Sequence, residues 1–180
     1  MNKKVVIISS SFRKNGNSET LVKEFEKGAN SNKNEVKTIY LRDVNMNFCK
    51  GCLTCQKTGK CVIKDDIETL INEVKDADVL CFATPIYYYS VSGQLKTFLD
   101  RMNPIFAIGH NFKDVYLLTS AADSNDLTMD IAIKDIQGWI SCFEGTQLKG
   151  IVKGTCSTNV GDILEYKDKL SEAYNLGKNI

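Results

Sequence analysis

Histidine is nearly absent, with His110 the only one in 180 residues. A lone imidazole supplies neither a Ser–His–Asp arrangement nor a histidine metal cluster, so hydrolase chemistry has no support. An excess of one charge is missing too. Lys and Arg number 23 against 22 Asp and Glu, leaving +1. A grip on nucleic acid or anionic lipid needs a concentrated basic face, so neither nucleic acid nor a membrane is an expected partner. No apolar run approaches the ~20 residues that span a bilayer. Only the short run Val5–Ile8 follows Lys3-Lys4, too little for a signal-peptide core, so export is not expected. The loops G-x-x-x-x-G-K-[ST] and G-x-G-x-x-G are both lacking, which removes the main support for nucleoside-triphosphate hydrolysis. Repeats, low-complexity tracts and linkers are lacking as well.

What is present is ordinary for a globular chain: 43% apolar and 25% charged residues. That is too apolar for a disordered chain, and the length fits one domain over 1–180. Seven cysteines, an odd number, exclude a complete disulfide framework. Without an export signal they point to a reducing compartment, and a cytoplasmic protein is expected.

Strand-like and helix-like periods alternate. Val5–Ile8 is a continuous β-branched run, expected of a strand buried on both faces. Val36–Leu41, Asp78–Ala83, Val115–Thr119 and Gly150–Cys156 read as four more strands, the third stopped by Thr84-Pro85. Between and after them, stripes such as Leu21/Phe25/Ala29, Ile67/Leu70/Ile71/Val74, Leu95/Phe98/Leu99/Met102, Ile133/Ile136/Ile140 and Ile163/Tyr166/Leu170/Tyr174 predict five helices. Asp65 with Glu68 gives the second helix a capping-box-like start. This alternation implies right-handed crossovers and a parallel sheet covered on both faces, an α/β sandwich. Ligands of such sheets lie beyond the carboxyl ends of the strands.

Two loops at those ends carry chemistry. Ser9–Ser18 concentrates hydroxyls, asparagines, Gly16 and the cations Arg13 and Lys14 ahead of a helix N-terminus. That is suitable for one phosphate, although the same residues also serve as helix cap and turn. Ala83–Lys96 contains Tyr87-Tyr88-Tyr89. Three consecutive tyrosines cannot all face one core, and an exposed one suits stacking on a planar ligand, with an aromatic satellite cluster or subunit contact as the alternative.

Together, Ser11-Phe12-Arg13-Lys14-Asn15-Gly16-Asn17-Ser18 and Ala83-Thr84-Pro85-Ile86-Tyr87-Tyr88, with Ser90–Arg101 following, resemble the two flavin loops of the NAD(P)H-dependent FMN reductase family. The first matches its G-S-P-R-x-x-G-N-[ST] pattern, except that Ser10 and Phe12 replace the usual glycine and proline. The resemblance implies a flavodoxin-like three-layer α/β sandwich with a five-stranded parallel sheet in the order 2-1-3-4-5. It implies FMN as cofactor, with Ser11, Arg13, Asn17 and Ser18 around the phosphate. Pro85, Ile86, Tyr87, Tyr88 and Ser90 would lie along the isoalloxazine, and the Thr119–Ser124 loop, beginning with Thr119 and Ser120, at the ring edge. NAD(P)H would be the co-substrate, a small molecule or protein the electron acceptor, and a homodimer or homotetramer the assembly. Flavin chemistry of this kind requires no side-chain acid or base, so no catalytic residue is nominated. A flavodoxin-type electron carrier is the rival reading, but flavodoxins are strongly acidic and this chain is neutral. A zinc-stabilised binding module without flavin would leave the tyrosine loop unexplained.

Within 48–64 lies C-x2-C-x2-C-x5-C: Cys49, Cys52, Cys55 and Cys61. Ferredoxin runs begin in the same way, with the fourth cysteine placed differently. The motif resembles that of iron–sulfur flavoproteins in the same group, which implies a 4Fe–4S cluster held by these four residues. Structural zinc, free thiols and a reversible disulfide are the alternatives. Cys81, Cys142 and Cys156 read as core or near-core residues.

Overall fold

A computed structural model describes residues 2–180. β1 (Lys4–Ser9) leads to α1 (Asn17–Ser31) and β2 (Glu35–Tyr40), and then, through the cysteine loop with its short α2 (Thr54–Thr58), to α3 (Ile67–Lys75). β3 (Val79–Tyr87) and the two-residue β4 (Ser90–Val91) precede α4 (Gly93–Arg101) and α5 (Ile105–Ile108). β5 (Asp114–Ser120), α6 (Asp130–Ile140), β6 (Gln147–Gly154) and α7 (Lys167–Lys178) complete the chain.

The sheet order is β2-β1-β3-β5-β6, all neighbours parallel. This is the expected 2-1-3-4-5 order once β4 is set aside. Val5–Ile8 are fully buried, because alternate residues enter different layers. Val6 and Ile8 pack with Leu80, Phe82, Val115 and Leu117 under α3, α4 and α6. Val5 and Ile7 pack with Val79, Cys81 and Leu118 under α1 and α7. On that second face α1 and α7 touch backbone to backbone. A Cβ on Gly28 would lie 2.0 Å from the Tyr174 carbonyl oxygen, and one on Gly177 would lie 2.1 Å from that of Phe25.

Three local expectations are corrected. The third strand does not stop at Thr84-Pro85: it pairs with β5 as far as Pro85 and then turns back on itself, Ile86 opposite Val91. Tyr88 and Tyr89 form that hairpin turn with φ of 49° and 68°. Consecutive positive φ values fit a two-residue I′ hairpin, but glycine or asparagine normally fills it. Secondly, Asp65 supplies only half of a capping box. Asp65 Oδ1 accepts from the Ile67 N–H at 3.3 Å and so caps α3, but Glu68 pairs with Lys64 instead of returning a bond, and the Asp65 carboxylate also meets Arg101, 36 residues distant. Thirdly, Cys142 is exposed rather than near-core, whereas Cys81 is buried as expected.

Candidate functional site

The loops following β1, β3, β5 and β6 converge beyond the carboxyl ends of the strands. The Ser10 N–H donates to the Ala83 carbonyl at 2.9 Å. Its hydroxyl donates to the same oxygen and accepts from Ser92 Oγ at 2.9 Å. The Ser92 N–H donates to Thr84 Oγ1 at 3.0 Å, and Ser92 caps α4 by accepting from the Leu95 N–H. This buried hydroxyl chain locks the first loop to the second. The first loop then turns through Asn15, whose φ is 55°, and Gly16 starts α1. A Cβ on Gly16 would lie 3.0 Å from the Arg13 carbonyl oxygen and 3.2 Å from Arg13 Cβ, so a side chain there would press on the turn.

A cavity of about 200 Å³ opens there. Ser11, Arg13, Gly16, Asn17 and Ser18 form its floor, Pro85, Ile86 and Tyr87 one wall, and Ser120, Ala121 and Ala122 another. Ser157, Thr158 and Val160 close the remaining side. Ser18 Oγ is buried on the floor with no hydrogen-bond partner. An unsatisfied buried hydroxyl costs free energy unless something arrives to bond it.

Eight of the eleven residues expected around the flavin therefore line one cavity. Tyr88, Ser90 and Thr119 do not. Tyr88 stands at the hairpin tip, 99% exposed. The Ser90 hydroxyl donates to Asp135 on α6 and fastens the hairpin base. Thr119 is buried, with its hydroxyl bonded to the Val152 carbonyl and Met129 Sδ. Asn17 lines the cavity in a different capacity from phosphate binding by its amide. Its Nδ2 donates to the Ser157 and Asn159 carbonyls, and its Oδ1 accepts from the Gly161 and Ile163 N–H groups. All four bonding positions of the amide are thus committed to holding the 157–163 segment against α1. That segment was not foreseen, although Ser157-Thr158-Asn159 after the last strand is the same kind of hydroxyl- and amide-rich stretch as the first loop.

The four motif cysteines are spread across a loop that wraps the end of α4. Cys49 and Cys52 are exposed, Cys61 is half-buried and Cys55 is buried. Each sulfur faces a donor. The Gly51 N–H points at Cys49 Sγ (3.4 Å), Asn103 Nδ2 at Cys55 Sγ (3.1 Å) and Arg101 Nη2 at Cys61 Sγ (3.6 Å). The Thr54 N–H and hydroxyl draw the Cys52 thiol pKa below its ordinary value. Among the described residues no three His, Cys, Asp or Glu side chains form a group that could hold a metal ion. Zinc, which needs four sulfurs each about 2.3 Å from one point, and an iron–sulfur cluster alike would need these thiols drawn together.

Residues 3–143, which include both loops and all four motif cysteines, match the family model for NADPH-dependent FMN reductase. The chain belongs to the NADPH-dependent FMN reductase family. An iron-sulfur flavoprotein of Archaeoglobus fulgidus is 38% identical over 101 residues, 56% of this chain and 46% of that protein. The chain spans about half the length of the iron-sulfur flavoproteins it matches first. A Bacillus subtilis protein, YwqN, provisionally assigned as an NAD(P)H-dependent FMN-containing oxidoreductase, is 28% identical over 97% of both chains. The structure of an NAD(P)H:quinone oxidoreductase from Methanothermobacter marburgensis superposes with a TM-score of 0.75 at 14% identity. It covers 99% of this chain and 97% of its own, which establishes the shared fold.

The cavity of this FMN-reductase-family chain fits the cofactor at its phosphate end. The head of α1 offers N–H groups and the partial positive charge of a helix N-terminus. The orphaned Ser18 hydroxyl supplies a further donor on the same floor. The thiol loop fits a sulfide-bridged iron cluster through its donor set, four thiols each facing an N–H group, a hydroxyl or a guanidinium.

Proposed function

We propose that the chain binds FMN in the cavity and oxidises NAD(P)H, passing the electrons to a small-molecule or protein acceptor. The observation that carries the reading is Ser18 Oγ, buried and unbonded at the head of α1 on the floor of this cavity. FMN when bound supplies hydride acceptance and the release of electrons singly or in pairs. The protein's part is to bind and orient. The Ser11 and Ser18 hydroxyls and the first N–H groups of α1 hold the phosphate. Arg13, whose Nη1 donates to the Thr158 carbonyl at 2.9 Å, draws the 157–160 wall across that end and adds a cation. Pro85, Ile86 and Tyr87 present a rigid face to one side of the ring, fixed by the hairpin, and exclude water there. Tyr88 and Ser90 act at one remove, as hairpin tip and hairpin base.

The four-cysteine loop is read as a 4Fe–4S site, on its C-x2-C-x2-C spacing and on the donors that meet its sulfurs. Residues 1–180 act as one flavin-binding unit, as a homodimer or homotetramer in the reducing cytoplasm.

The test is the visible spectrum of protein purified without oxygen, with iron and sulfide assays and NAD(P)H turnover on a dye acceptor. Flavin bands with steady turnover are expected, over a broad brown absorbance with about four irons per chain. Flavin without turnover would favour the carrier reading, and flavin without iron would remove the cluster alone. A colourless protein that refuses added FMN would overturn the proposal.

A further inference from the structure

We infer that Arg101 is the positioning residue of the four-cysteine loop and the donor that tunes its Cys61 sulfur. The arginine is only 1% exposed, and it forms an ion pair with Asp65 in which neither side chain is exposed at all. Its fork meets both carboxylate oxygens, at 2.7 and 2.8 Å. Nη1 also donates to the Asn47 carbonyl at 2.6 Å, and Nη2 reaches Cys61 Sγ. Asp65 in turn accepts from the Asn47 N–H at 2.9 Å. Residues on both sides of the cysteine loop, Asn47 before it and Asp65 after it, are therefore fastened at one point by one guanidinium.

A buried ion pair is a poor device for stability alone, since well-packed apolar residues serve as well. What apolar residues do not supply is a planar fork that bonds a carboxylate, a carbonyl and a sulfur together. Asn103, two residues further on, donates to Cys55 Sγ and accepts from Gln56 Nε2. Two of the four sulfurs thus take their donors from the end of α4. The other end of α4 begins at Ser92, bonded to Ser10 of the first loop. One rigid helix of nine residues, about 13 Å long, registers the thiol loop against the cavity. Donors aimed at cluster-ligating sulfurs stabilise the more negative, reduced state.

The potential readout below rests on the 4Fe–4S reading, whereas the exchange readout does not. The test compares wild type with the double variant Arg101→Met/Asp65→Leu, which removes the clamp without stranding a charge. In iron-free, reduced protein, amide hydrogen exchange over residues 47–64 is expected to quicken at least tenfold, with exchange in α1 and β1 unchanged. In anaerobically reconstituted protein, the one-electron midpoint is expected to fall by about 59 mV, a tenfold loss of preference for the reduced form. A folded double variant with wild-type loop exchange overturns the positioning role, and quickened exchange with an unmoved midpoint overturns the tuning. Should the double variant not fold, Arg101→Lys, which keeps the charge and loses the fork, carries both measurements with the same expected directions and the same overturning results. Should wild type take up no iron, the cluster reading fails and exchange alone still decides the positioning role.

Discussion

Replacing Ser18 with alanine is expected to move stability and cofactor affinity in opposite directions. Without cofactor, the Ser18 hydroxyl is buried and bonded to nothing, and an unsatisfied buried polar group costs about 1–3 kcal/mol. Alanine removes that cost and is the better helix former. Cofactor-free Ser18→Ala should therefore melt at the wild-type temperature or above it. Each kcal/mol gained is worth roughly 2–4 °C for a domain of this size. Binding should suffer, because a hydrogen bond to a charged group contributes about 1.5–3 kcal/mol, or roughly 10- to 150-fold in Kd. The assay is FMN titration by flavin fluorescence quenching, paired with thermal denaturation of the stripped protein. Wild-type affinity in the variant would refute the assignment of the phosphate to this corner. A stripped variant less stable by more than about 1 kcal/mol would show that the hydroxyl already has a partner in the protein.

Asn17→Ala breaks four bonds at once. At 0.5–1.5 kcal/mol each it should cost about 3 kcal/mol by urea denaturation, and it should weaken FMN through release of the 157–163 wall. An effect under about 1 kcal/mol would mean that water replaces the amide. Gly177→Ala would push a Cβ to 2.1 Å from the Phe25 carbonyl oxygen and is expected to lose about 3 kcal/mol or more by overpacking. Gly138→Ala, with open space around it, should gain up to about 1 kcal/mol in the same measurement. Burial of Asp65 works to raise its pKa, but the Arg101 fork and the Asn47 N–H outweigh that and bring it down to about 2 from 3.8. The carboxylate's contribution, about 2 kcal/mol by linkage, is therefore fully present above pH ~4 and lost as pH falls towards 2. Chemical denaturation of wild type and of the double variant across that range should show the extra loss in wild type alone.

The parts of the fold legible in the sequence are those written locally. The β-branched run Val5–Ile8 and the helical stripes predict the strands, the helices and the parallel sheet. The two candidate ligand loops are legible because hydroxyls, Gly16 and consecutive tyrosines are costly or pointless in a core. What was misread depends on partners far along the chain. Asp65 is legible as a helix cap, which it is, but its pairing with Arg101 across 36 residues is not. The 157–160 wall is ordered by an asparagine 140 and more residues earlier. Thr119, next to last in β5, faces Val152 and Met129 and not the cavity, because side chains alternate along a strand and Ser120 takes the open side. Pro85 reads locally as a stop, yet a strand continues through it and its hairpin tolerates two left-handed tyrosines. That turn is set by pairing with Ser90 and Val91, not by local preference.

The rival carrier reading makes a different demand on the surface. A protein that delivers electrons by docking relies on a strong field of one sign to steer the encounter, and its rates fall steeply as salt screens that field. This chain has a net charge of +1, and beside its cavity it exposes aromatic surface instead: Tyr87 is 48%, Tyr88 99% and Tyr89 55% exposed. Contact through such surface gains from area removed from water, which salt scarcely screens. Reduction of an uncharged acceptor, and of a protein acceptor if it meets this hairpin, should therefore change by less than about twofold between 50 and 500 mM salt. Stopped-flow reoxidation of the reduced protein across that range measures it. A drop of tenfold or more would mean that a local charged patch governs the encounter despite the neutral total, and the carrier reading would regain its footing.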